Sequence, residues 1–135
     1  MKQLFLNLPV ENITKSQAFY EALGFTVNPI FTDEDQKCMV WSEHIYVMLQ
    51  SKAFTEKHGT KPLANLHSYA GPSFTLPLEN PTDVDRLAEI ALAQGAKEPN
   101  PQVQLEFMHL RTIEDSDGHT WGLLYLNMEK FVPLR

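Results

Sequence analysis

The chain says nearly the same thing twice, and that repetition limits what it can fold into. Residues 4–24 read LFLNLPVENITKSQAFYEALG, and residues 72–95 read PSFTLPLENPTDVDRLAEIALAQG. Each copy is an alternating apolar run ending in Leu-Pro-Val or Leu-Pro-Leu, then Glu-Asn-x-Thr, an amphipathic stretch and a closing glycine. Self-similarity at a fixed offset marks a duplicated supersecondary unit, here a strand followed by a helix.

In the first copy, Leu4, Leu6 and Leu8 alternate with Phe5, Asn7 and Pro9, the period of a strand. Asn12 or Thr14 is placed to cap the helix that follows, with Thr14 and Gln17 spaced as a capping box. Ala18, Phe19, Ala22 and Leu23 form its apolar stripe, and Gly24 suits the position just past its end. A strand over 25–31, a hairpin of 38–41 with 45–50 and a short helix over 51–58 complete the half. In the second copy Phe74, Leu76 and Leu78 keep the phase of the first strand, and a helix from Thr82 buries Val84, Leu87, Ala88, Ala91 and Leu92. Strands are expected near 96–98, over 105–113 and over 120–127, the last two joined by the turn Glu114-Asp115-Ser116-Asp117-Gly118. The order is β-α-β-β-β, twice, giving one α+β domain over 1–135 built from modules of about 1–58 and 70–130.

Composition excludes several function classes. A hydrophobic fraction of 43% supports a full core, while no apolar run approaches a membrane span. A net charge of −6 argues against a phosphate backbone as partner. The single Cys38 rules out a disulfide framework and a cysteine-rich zinc site, and its place in a strand predicts an inert, buried thiol. The start, Met1-Lys2-Gln3-Leu4, runs straight into a strand with no secretory pattern, so a cytoplasmic protein is expected.

A duplicated βαβββ module resembles the vicinal oxygen chelate superfamily, which includes glyoxalase I, extradiol dioxygenases, fosfomycin-modifying enzymes and bleomycin-binding proteins. LNLPVENITKSQAFYEALGF is similar to the family's opening strand and its S-x-x-F-Y-x-x-L-G-F helix. FTLPLENPTDVDRLAEIALAQGAK is similar to the start of its second module, and IEDSDGHTWGLLYLN to its final D-P-D-G hairpin. The likeness is greatest to the sub-group labelled predicted lactoylglutathione lyases. It implies two tandem βαβββ modules forming a cupped mixed sheet with helices on the convex side, and a homodimer.

Metal-dependent members of that family take one ligand from the first and one from the last strand of each module. The resemblance carries those positions onto Phe5, Met48, Ser73 and Gly122. A phenyl ring, a thioether, a hydroxyl and no side chain at all make a poor ligand set for a divalent ion. Shifting by one residue meets Leu4, Leu6, Val47, Leu49, Pro72, Phe74, Trp121 and Leu123, and no ligand. The expectation is therefore no inherited metal site and no cofactor.

Five histidines stand elsewhere. His44 and His58 read as surface residues, His67 lies in the crossover between the halves, and His119 flanks the final turn. None shows the helical i, i+4 spacing of a metalloprotease pair. His109 and Arg111, two apart on a strand, share a face. Facing the pocket, Arg111 would clamp a carboxylate or phosphate and His109 would act as acid or base. Facing away, Arg111 would pair with Glu114 or Asp115. Both readings stand on the sequence. The acidic residues of the last turn are explained by turn geometry and lack the loop that a calcium site needs.

Strand parity assigns the concave lining. Phe5, Trp41, Tyr46 and Met48, with Met39, would give contact area; Asn7, Gln50, Ser73 and Thr75 would orient a ligand, with Thr120 and Leu124 on the same face and Gly122 opening space. Aromatics, methionines and neutral polar groups suit an apolar or aromatic small molecule. The expected function is a metal-free, glyoxalase/bleomycin-resistance-like protein that binds a small organic ligand, without a nucleic-acid or membrane partner. Two other readings are a lyase or isomerase working through His109 and Arg111 or through a new metal site at His67 or His109, and a dimeric scaffold with a filled pocket.

Overall fold

The computed structural model describes residues 1–130, in two compact units, the first spanning Met1–Asn65 and the second beginning at Leu66. The first unit runs β1 (Leu4–Val10), α1 (Ile13–Ala22), β2 (Thr26–Asn28), β3 (Gln36–Val40), β4 (Ile45–Ser51) and α2 (Lys52–His58). The second runs β5 (Ser73–Pro77), α3 (Pro81–Ala93), β6 (Val103–Leu105), β7 (Met108–Glu114) and β8 (Thr120–Leu126). Each holds a four-stranded mixed sheet, ordered β1-β4-β3-β2 and β5-β8-β7-β6. The first strand of each unit lies parallel to the last, and the remaining pairs are antiparallel. The duplicated α+β modules read from the repeat are thus present.

The repeated letters are the ones that the backbone needs. The side chains of Asn12 and Asn80 accept hydrogen bonds from the Lys15 and Asp83 amides at 3.0 and 2.8 Å, satisfying donors that each helix start leaves open. Asn12, rather than Thr14, is the cap of α1. At the far ends Gly24 and Gly95 have φ of +107° and +98°, a conformation that side chains disfavour. The next amides, of Phe25 and Ala96, then reach back to the Tyr20 and Ala91 carbonyls at 3.1 and 3.0 Å, closing both helices alike.

One face of each sheet is covered by its helix. Under α1 lie Leu8, Val10, Met39, Val47 and Leu49, with Tyr20 edge-on to Phe25 at 5.4 Å. Under α3, Leu76, Ile113, Trp121 and Leu123 meet Val84, Leu87, Ala88 and Ala91.

Three expected strands are redrawn. The expected strand 25–31 keeps its ladder only over Thr26–Asn28, because Pro29 has no N–H and Asn28 instead caps a 3-10 turn at the Ile30 amide, 3.0 Å away. Residues 96–98 give only a bridge between Lys97 and Glu114, since Pro99 and Pro101 prevent its extension. The expected strand 105–113 is a hairpin turning at Glu106-Phe107, which leaves Val103–Leu105 as β6.

Candidate functional site

The faces opposite the helices are open, and each unit has a hollow there. In the first, Phe5 pairs with Tyr46 and Asn7 with Met48 across β1 and β4, so all four side chains project on the open side. The Phe5 and Tyr46 rings stack at 4.5 Å with an 11° tilt, and Phe5 remains 48% exposed. Tyr46 is fixed by its hydroxyl, which donates to the Glu43 carbonyl at 2.9 Å and accepts from Gln3 Nε2 at 3.1 Å. Phe31, carried there by the turn after Pro29, closes a hollow of about 250 Å³ with Phe5, Asn7 and Met48. Asn7 is its polar group, and among the described residues its side chain has no hydrogen-bond partner.

Two expected lining residues lie elsewhere. Cys38 and Val40, not their neighbours, stand opposite Met48 and Tyr46. Met39 is therefore buried on the helix side, and Trp41 packs on Phe25 at 5.0 Å near Gly24. Trp41 does not share the face of Phe5, because the loop 41–44 sets the pairing one residue away from the simple count. Gln50 keeps its face, but its amide is engaged: it donates to Gln36 at 3.1 Å and accepts from Thr55 at 3.3 Å. Phe31 went unrecognised in the sequence; Pro29, which turns the chain back, is the signal that locates it.

In the second unit, Ser73 lies beside Thr120, while Thr75 and Thr112 flank Gly122 from either side. With Leu110 and Asn100 they enclose a hollow of about 350 Å³. A Cβ on Gly122 would sit 3.2 Å from Thr75 Oγ1 and 3.4 Å from Leu110 Cδ1, so these neighbours lean over the space that glycine leaves. Ser73, Thr75, Thr120 and Gly122 are brought together as expected from parity. Asn100, Leu110 and Thr112 are additions, and β7 alternation would have supplied the last two.

His109 and Arg111 belong to the other side of β7. Arg111 is 4% exposed beneath α3 and meets three carboxylates. Its Nε and Nη2 donate to both oxygens of Glu98 at 2.9 and 3.0 Å, Nη2 also to Glu89 at 2.9 Å, and Nη1 to Asp85 at 3.3 Å. Asp85 Oδ1 is also 2.8 Å from His109 Nε2. The hydrogen bond with His109, then Arg111, holds the Asp85 carboxyl below its usual range, and Arg111 does the same for Glu98. Glu98, then Glu89 and Asp85, favour the charged guanidinium. This arrangement ties α3 to the sheet. It presents neither His109 nor Arg111 to the hydroxyl-lined hollow, and the partners of Arg111 are Asp85, Glu89 and Glu98 in place of the expected Glu114 or Asp115.

The remaining histidines are distributed. His44 Nδ1 lies 3.0 Å from the Lys2 carbonyl, His58 rests on Phe54 at 4.5 Å, and exposed His67 lies in a turn. His119 is buried at the final turn, where Asp115 accepts from the Asp117 and His119 amides at 3.0 and 2.9 Å. Asp115 thus serves the turn. Among the described residues no three His, Cys, Asp or Glu side chains converge as metal ligands do. On the open faces, Phe5 and Met48 in one unit and Ser73 and Gly122 in the other do not fit a divalent ion by their chemistry. Burial pushes the Cys38 thiol up, away from the reactive thiolate.

Residues 2–42 match a family model described as bleomycin resistance protein-like N-terminal. Among curated proteins none matches the chain. A structure of a hypothetical protein from S. aureus is similar at 20% identity and a TM-score of 0.79, covering 93% of this chain and 94% of that one. A glyoxalase/bleomycin resistance protein/dioxygenase family enzyme from Burkholderia phytofirmans superposes with a TM-score of 0.74 at 13% identity, over 93% and 99% of the two chains. A fosfomycin resistance protein from Mesorhizobium loti does so at 0.68 and 15%, over 94% and 93%. No helix among the described residues is long and apolar enough to cross a membrane. The chain therefore has the duplicated βαβββ fold found in glyoxalase and bleomycin-resistance-like structures.

Proposed function

We propose that this chain is a glyoxalase/bleomycin-resistance-like protein, related to the predicted lactoylglutathione lyase sub-group, that binds a small organic ligand on its open sheet faces without the family's metal. The observation that carries this reading is the first unit's hollow: a stacked Phe5–Tyr46 pair beside Met48 and Phe31, with Asn7 unpaired among the described residues. Flat aromatic surface, a polarizable thioether and one directional amide suit a planar, largely apolar molecule. Ser73 and Thr75 offer hydroxyls on the second unit's open face. Gln50 and Arg111 drop out as orienting groups because their polar atoms are engaged. Residence in the cytoplasm and assembly as a homodimer complete the proposal, the dimer by analogy with the family.

The test is a titration of isotope-labelled full chain, purified without a histidine tag and dialysed free of metal, with a panel of planar aromatic compounds. Saturable shifts at the Asn7 and Met48 amides and the Met48 methyl group are expected, with near-zero bound zinc, nickel, manganese and iron. No response to any compound would favour a scaffold with an idle face. About one equivalent of metal per chain would overturn the metal-free reading.

A further inference from the structure

On the second unit's open face, four hydroxyls surround a floor without a side chain. Ser73, Thr75, Thr112 and Thr120 border Gly122 or its row, and Asn100 lines the same hollow of about 350 Å³. Among the described residues, none of these four hydroxyls nor the Asn100 amide has a side-chain hydrogen-bond partner. A hydroxyl both donates and accepts, and an amide offers two donors and an acceptor. The hollow thus holds a concentration of unspent, neutral hydrogen-bonding capacity. Leu110 supplies one apolar wall.

We propose that this hollow is a site for a neutral polyhydroxylated ring, such as a sugar or a cyclic polyol; the proposal rests on the reading of the open faces as ligand-binding surfaces. Alcohol groups match the lining because each, like the side chains it meets, can donate and accept. The C–H face of such a ring suits Leu110. Anions are disfavoured, since no Lys, Arg or His lines the hollow and Glu114 follows Thr112 on the same face of β7. A planar aromatic would leave the hydroxyls unpaired, a cost that separates this hollow from the first unit's. The volume lies at the small end of ligand pockets, about 300–1,000 Å³, and admits a single ring.

The test titrates the labelled full chain with D-glucose and myo-inositol, and with D-glucuronate as the charged counterpart. Saturable shifts centred on the Thr75, Thr112 and Gly122 amides are expected, with Kd values in about the millimolar range. Glucuronate should bind at least several-fold more weakly. The double variant Thr75→Val/Thr112→Val keeps the shape, removes two hydroxyls and should weaken glucose or inositol binding roughly tenfold. Thr112→Val alone gives the same direction should the double variant not fold. No saturable shift with either neutral probe, equal or tighter binding of glucuronate, or unchanged affinity in the Val variants would overturn the assignment. Shifts at Asn7 and Met48 with aromatic compounds, and none at Gly122 with sugars, would sink this inference alone. Silence at both hollows would remove the broader reading as well.

Discussion

The two units share a backbone plan and differ in what they place on each side of it. Both open with a strand, cap the helix with Asn and stop it with a left-handed Gly. Beneath the helices they diverge: the first unit sets Tyr20 edge-on to Phe25 and Trp41 tilted against the same ring, while the second sets Arg111 among three carboxylates. On the open faces the first is aromatic and the second is hydroxylated. Caps and glycines are fixed because particular backbone atoms require them. Face residues answer only to their neighbours, so a duplicated frame is free to carry two chemistries.

The largest way to break that contrast is at Arg111. Arg111→Met removes the cation paired with Glu98 and Glu89 and leaves Asp85, among the described residues, with His109. Loss of one partner from a buried ionic cluster costs about 3 kcal/mol here, the low end of such losses, because Asp85 and Glu89 also reach water. Urea unfolding measures it. A loss below about 1 kcal/mol would mean that apolar packing alone holds α3, and the two helix sides would then differ in composition but not in energetics.

Acid should separate the units in the same sense. Asp85, chiefly through His109, and Glu98, chiefly through Arg111, have carboxyls lowered in the fold. A lowered carboxyl stabilises fully above its unfolded pKa of about 4 and loses that contribution as pH falls through the depressed value. Below about pH 4, amide-exchange protection in α3 and β7 should therefore fall ahead of that in α1 and β4. The first unit's described ion pair, Lys52–Glu11, is exposed and contributes little. Arg111→Met should flatten the acid dependence of the second unit; equal loss in both units would refute the assignment of the slope to this cluster.

A smaller effect probes what the units have in common. Asn12→Ala and Asn80→Ala each delete one cap bond, of 3.0 and 2.8 Å, and should cost about 1 kcal/mol apiece. The two losses should agree closely and add in the double variant, since the sites share no partner. A cost confined to one copy would show that the repeated Glu-Asn is structural in that copy alone.

What the sequence made legible follows the same division. The frame was readable because Asn, Gly and the periods of strand and helix are local requirements that the letters carry directly. Register is not, because it depends on how many residues a loop consumes: strand parity counted through 41–44 puts Trp41 and Met39 on the open face, and the pairing of Val40 with Tyr46 moves both to the helix side. The prolines at 99 and 101 mark a break, but where pairing resumes beyond them depends on the partner strand. For His109 and Arg111 the sequence left two faces open. Asp85 and Glu89, one turn apart on α3, are the acidic pair that could have chosen between them.

The smallest expected effect concerns the hydroxyls. Thr112→Val exchanges a half-buried hydroxyl, unpaired among the described residues, for a methyl group of the same shape on the open face of β7. No side-chain hydrogen bond among the described residues is lost and β propensity is kept, so stability should change by less than about 0.5 kcal/mol. Urea unfolding of this variant beside Arg111→Met then compares two neighbours on one strand that face opposite ways. A near-neutral Thr112→Val against a costly Arg111→Met places fold maintenance on the helix side and leaves the open side to recognition. A loss above about 1 kcal/mol at Thr112 would make its hydroxyl part of the scaffold, and the second hollow would then differ from the first in packing rather than in the ligand it accepts.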